Sequence, residues 1–168
     1  MFSFSGFGTF GLVHSSEQRA DFTSSVYQPG GAGYPHAWSS DVDTKLGAQV
    51  TANFTPRLAA VLQLIAEQNY DDTYRPHIEW ANIAYQVTPD LTVRAGRTVL
   101  SSFLYSDTRK VGYALPWVRP PVELHSLVPI TGSDGVDVRY RISFGDAVNM
   151  VMASYGSSRA DDVGGGQS

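Results

Sequence analysis

Apolar and polar residues alternate with period two along much of this chain. From Thr44 to Phe54, the residues Leu46, Ala48, Val50, Ala52 and Phe54 share one face, and Lys45, Gly47, Gln49, Thr51 and Asn53 share the other. The stretch Val136–Phe144 repeats this, with Val136, Val138, Tyr140, Ile142 and Phe144 against Asp137, Arg139, Arg141 and Ser143. Successive side chains of a strand point to opposite faces, so the spacing predicts strands that are apolar on one side only. Leu91, Val93 and Ala95 oppose Thr92, Arg94 and Gly96, and Arg97 breaks the order. Ala81, Ile83, Tyr85 and Val87 oppose Asn82, Ala84 and Gln86, with Trp80 disturbing the start. Leu58–Gln68 is apolar on both faces apart from Gln63 and Glu67, and Ala147–Tyr155 has no clear period. With Phe2–His14, the expectation is about seven strands, each near the roughly 9–11 residues that cross a bilayer at a tilt.

The connections alternate in length. Thr55-Pro56-Arg57-Leu58 and Thr88-Pro89-Asp90-Leu91 share one turn grammar, in which proline presets φ, and Phe144-Gly145-Asp146 predicts a third short turn. Between them lie longer stretches, Ser15–Asp43, Asn69–Arg75 and Val99–Gly135. Short turns at one end and long loops at the other are the pattern of outer-membrane barrels. A soluble sandwich also alternates, but it turns its apolar face to a core and its polar face to water. In a barrel the apolar face meets lipid and the polar face lines a lumen. Two features favour the barrel: long charged residues mixed with small ones on the polar faces, and aromatic residues near strand ends (Phe2, Phe4, Phe54, Tyr85, Phe144, Tyr155). The fold expected is all-β, an antiparallel transmembrane β-barrel. The alternative is a soluble all-β binding module or sandwich domain without channel activity.

Composition narrows the chemistry. No apolar run reaches 18 residues, so no membrane-spanning helix is expected. No basic segment precedes an apolar one at the start, so no signal peptide is expected in the chain as given. Cysteine is absent, which removes disulfides and thiol catalysis. A formal net charge of −4 argues against nucleic acid as a partner. Gly6, Gly8 and Gly11 fit G-x-G-x-x-G, but no helical pattern follows and no acidic residue stands roughly 20 residues on. These glycines are read instead as sites of strand bending and close backbone approach. His14, His36, His77 and His125 lack ligand spacing, so no metal site is expected. Asp41, Asp43, Asp71 and Asp72 read as solvated loop charges, without the ligand order of a calcium loop. No serine sits in a G-x-S-x-G elbow; the channel reading calls for no catalyst, so the chain is not read as an enzyme and no cofactor is expected.

Several segments carry a family likeness. "FSGFGTFGLVHS" at the start, "DVDTKLGAQVTANFTPRLAAVLQ", "HIEWANIAYQ", "LTVRAGR", "RKVGYALPWVRPPVE" and "SDGVDVRYR" together resemble Gram-negative outer-membrane porins, and more narrowly a group of proteobacterial porins. The likeness runs from Phe2 to about Gly156, and Trp117–Glu123 is its most specific part. It implies a passive channel for small hydrophilic solutes and ions in the cell outer membrane, in contact with lipid and lipopolysaccharide and assembled as a homotrimer. Such barrels have about 16 strands. On that comparison, residues 1–156 are expected to be the N-terminal part of a porin barrel. Residues 157–168 are read as a polar, glycine-rich tail or the start of a truncated loop.

A channel needs a hydrated path, a constriction and charges that bias entry. Residues 99–131 are too long for an ordinary hairpin connection, and Pro116, Pro120, Pro121 and Pro129 stiffen them. The resemblance implies that this loop folds inward as the constriction, carrying Asp107, Arg109, Lys110, Arg119 and Glu123. Arg94, Arg139 and Arg141 stand on the polar faces of the strands that flank it. They are expected to form a basic wall, with Asp107 or Glu123 as opposing acids.

Overall fold

The computed structural model describes residues 1–25, 28–34, 36–99, 106–116, 119, 122, 132–145 and 147–158. Its fold is all-β. The strands are β1 (Phe2–Thr9), β2 (Val13–His14), β3 (Trp38–Ser39), β4 (Lys45–Thr55), β5 (Leu58–Glu67), β6 (His77–Gln86), β7 (Leu91–Val99), β8 (Gly132–Phe144) and β9 (Ala147–Ser157). Seven of them form one antiparallel sheet in the order β1-β4-β5-β6-β7-β8-β9. The short β2 and β3 pair separately within the β1–β4 connection. Each neighbour after β4 is also the next strand in sequence, so the sheet is a meander built by tight turns and loops. It is not closed: β1 and β9 are its two edges.

The strand expected over Phe2–His14 is two strands. β1 stops at Thr9, and the backbone next passes Gly11 so close to Asp43 that a Cβ there would lie 2.5 Å from that of Asp43. The chain leaves the sheet where only glycine fits. Gly6 and Gly8 stay within β1, where an added Cβ on Gly6 would sit 3.2 Å from the Gly47 carbonyl oxygen. Their spacing serves strand packing.

The two faces of the large sheet differ in burial, and in an unusual sense. Register puts Leu46, Phe54, Leu62, Leu64, Ile78, Ile83, Tyr85, Val136, Tyr140 and Phe144 on one face, and all of them are exposed. The opposite face carries Gln63, Asn82, Arg94, Thr98 and Asp137, all buried. Among the described residues, the only buried hydrophobics are Ala32, Val42, Ile65 and Val99. A soluble sheet packs its apolar face and wets its polar one. Here the polar face is the covered one.

The strand expected at Ala81–Val87 begins earlier, and its irregular start has a cause. The pairing of β5 with β6 runs Gln63 with Trp80 and then Leu64 with Ile78, which leaves Glu79 as an extra residue. A bulge of this kind re-aims side chains by breaking the strict alternation. Glu79 is thereby buried on the polar side beside His77 instead of exposed with Ile78.

Candidate functional site on the covered polar face

Part of the β7–β8 connection lies across the polar face. Its described residues open with a 3-10 turn at Ser106–Thr108 and include a second at Gly112–Ala114. Asp107 accepts a hydrogen bond from Arg139 Nη2 of β8 at 3.0 Å. Arg109 Nη2 donates to Glu79 Oε1 of β6 at 2.7 Å. Lys110 Nζ donates to Glu67 at the end of β5. Gly112 then runs beside β1, where an added Cβ would lie 3.0 Å from Thr9 Oγ1. Four consecutive contacts thus step from β8 through β6 and β5 to β1. Farther along, Arg119 Nη2 donates to Asp43 Oδ2 at 2.6 Å and stacks 4.8 Å above the Phe22 ring.

The ties are charged because both partners are. Ionised donors and acceptors make shorter, stronger hydrogen bonds than neutral ones, and partial burial lowers the screening by water. Arg109 and Glu79 have side chains only 10% and 9% exposed. His77 Nε2 stands 3.5 Å from Glu79 Oε2 and 3.8 Å from Glu67 Oε1. The same two carboxylates therefore face one imidazole and two loop cations.

The arginines expected to form a basic wall are not alike. Arg94 Nε donates to both carboxylate oxygens of Asp137, at 2.9 and 2.8 Å, and its guanidinium lies 5.8 Å from the Trp80 ring centroid. Arg139 is shared between Asp107 and Asp137, the latter at 3.6 Å. Only Arg141 is exposed and without an ion pair among the described residues. Arg97, which breaks the alternation, points to the other face and forms a forked pair with Asp134, with both bonds 2.8 Å. Glu123 lies outside the described residues.

Asp43 corrects an expectation. It is buried and paired with Arg119, where solvated loop charge was expected. Asp41 also has a partner, the Tyr74 hydroxyl, which donates to its Oδ1 at 2.8 Å. This bond ties the β5–β6 loop to the β3–β4 connection. Burial, and then the hydrogen bond and negative charge of Asp41, push the Tyr74 phenol up to about 12. Asp71 stays at the surface, where the hydroxyl of Thr73 donates to it and holds its carboxyl below the usual range.

Sequence reading passed over Glu67, Glu79 and Asp137, the acids that anchor the loop and Arg94. Glu67 and Asp137 stood out only as polar members of apolar strands. Their partners are 43 residues away in each case: the β7–β8 register sets Arg94 against Asp137, and the path of the β7–β8 connection brings Lys110 to Glu67. Comparison with protein-family models and with curated protein sequences gives no match.

Proposed function

We propose that this sheet is a sector of the wall of an outer-membrane channel for passive diffusion of small hydrophilic solutes and ions. The observation that carries the reading is the inverted burial. An exposed face with Leu46, Phe54, Leu62, Ile83, Tyr85, Val136, Tyr140 and Phe144 is far larger than the scattered apolar residues of a soluble surface. Hydrocarbon is the solvent that suits it. The polar face, with Arg94, Asp137, Glu79 and Asn82, suits a hydrated lumen. A soluble binding module would need the reverse.

In this reading residues 106–116 and Arg119 narrow the path, held by Asp107, Arg109, Lys110 and Arg119. The open edges of β1 and β9 cannot stand in lipid, because each unpaired backbone group there costs several kcal/mol. A closed wall in lipid therefore needs further strands. β1 and β9 run in the same direction, being separated by an even number of antiparallel steps, so an all-antiparallel ring takes an odd number of additional strands. The sequence likeness adds assembly as a homotrimer.

Conductance of the full-length protein in planar bilayers tests the reading. Discrete steps that grow with salt concentration, and grow further when residues 109–116 are shortened, are expected. A protein that folds without detergent or lipid and gives no conductance would overturn it.

A further inference from the structure

On the exposed apolar face, Arg97 and Asp134 are the only charged residues among those the strands place there. We propose that this pair meets the phosphate-bearing headgroup layer of the membrane and sets the level at which hydrocarbon ends on the long-loop side. The inference rests on the channel reading above and adds to it a position and a lipid contact.

Geometry argues for that level. Asp134 and Phe144 lie on the same face of β8, ten residues apart. At about 3.4 Å per residue and a tilt of about 40°, that separation spans roughly 26 Å along the membrane normal. The apolar band of such barrels is about 25 Å tall. Phe144, Tyr85, Phe54 and Phe2 cluster at the short-turn end of that face, all exposed. With these rings at one boundary, the ion pair falls at the other.

Chemistry argues for the same place. Arg97 and Asp134 keep 45% and 55% of their side-chain surface exposed. A lipid-facing arginine is costly at the bilayer midplane and close to free near the interface. The forked pairing cancels net charge, which reduces the cost of lying beside hydrocarbon. It uses two of the five N–H donors of the guanidinium, and those remaining suit phosphate oxygens.

The chain has no cysteine, so a single introduced one carries a unique nitroxide. Ser157 stands opposite Asp134 and reports its level without removing it, and Val138 reports mid-band. The full-length protein is placed in phosphatidylethanolamine–phosphatidylglycerol vesicles, and access of oxygen and of a nickel chelate is measured at S157C and V138C. Oxygen should dominate at 138, and the chelate should reach 157 several-fold more readily than 138. In an R97L/D134L background, oxygen access at 157 should rise severalfold as hydrocarbon extends upward. Oxygen dominance at 157 in the parent overturns the proposal, and so does shielding of 157 from both reagents, which would indicate a protein contact. Chelate access at 138 equal to that at loop positions overturns the channel reading itself.

Discussion

Arg94 and Asp137 face each other directly across β7 and β8 on the covered face, with side chains 10% and 8% exposed. A guanidinium in that position is tolerable only because the carboxylate beside it accepts two hydrogen bonds from its Nε. Asp137→Asn should therefore cost about 3 kcal/mol or more in denaturant unfolding, since it leaves a buried charge uncompensated. The double variant R94Q/D137N should recover much of that loss. Equal stability of the single variant and the parent would show that the pair is not shielded from lumenal water by its neighbours.

The ties of the loop to the sheet predict a second outcome. Removing Arg109–Glu79 with E79Q should free residues around Tyr113, an exposed position on the second 3-10 turn. A nitroxide on Y113C should narrow its spectrum in the E79Q background, and single-channel conductance should rise. Charge-assisted bonds of this kind contribute about 1.5–3 kcal/mol each, so one loss loosens the segment without unfolding the sheet.

Selectivity should depend on pairing more than on the number of arginines. Arg94 is neutralised locally by Asp137, whereas Arg141 has no acidic partner among the described residues. R141Q should move the reversal potential toward cations more than R94Q does. The opposite ranking, measured in a salt gradient, would contradict the local pairing.

The Tyr74–Asp41 bond gives a dependence on alkaline pH. The phenol ionises from about pH 10 in an unfolded chain. In the fold it is pushed up to about 12. The stabilisation is whole below pH 10, declines between pH 10 and 12 because the unfolded chain releases the proton first, and is gone above that range. Ultraviolet titration should show one late tyrosine, absent in Y74F and shifted toward ordinary values in D41N.

The alternating faces of β4 and β8 and the tight turns at Pro56, Pro89 and Gly145 were legible in the sequence, because each depends on residues a few positions apart. The bulge at Glu79 was not, because it arises from the pairing register of β5 with β6. The Arg94–Asp137 and Lys110–Glu67 contacts were hidden for the same reason: each joins residues 43 apart. Just beyond the end of β1 at Thr9, Gly11 passes close to Asp43, an approach that no local pattern records. Above all, alternation is the same in a sandwich and in a barrel wall. The structure adds that residues 106–112 lie over the polar face and that the apolar face is left exposed.

If the apolar face meets lipid and the polar face meets water, neighbouring residues of β8 differ in their access to water. Single cysteines at Tyr140, Arg141, Ile142 and Ser143 in the reconstituted full-length protein would be treated with a membrane-impermeant thiol reagent. Positions 141 and 143 should label strongly and 140 and 142 should stay protected, since neighbours in a strand point to opposite faces. Protection of 141 with labelling of 140 and 142, or equal labelling of all four, would contradict the account.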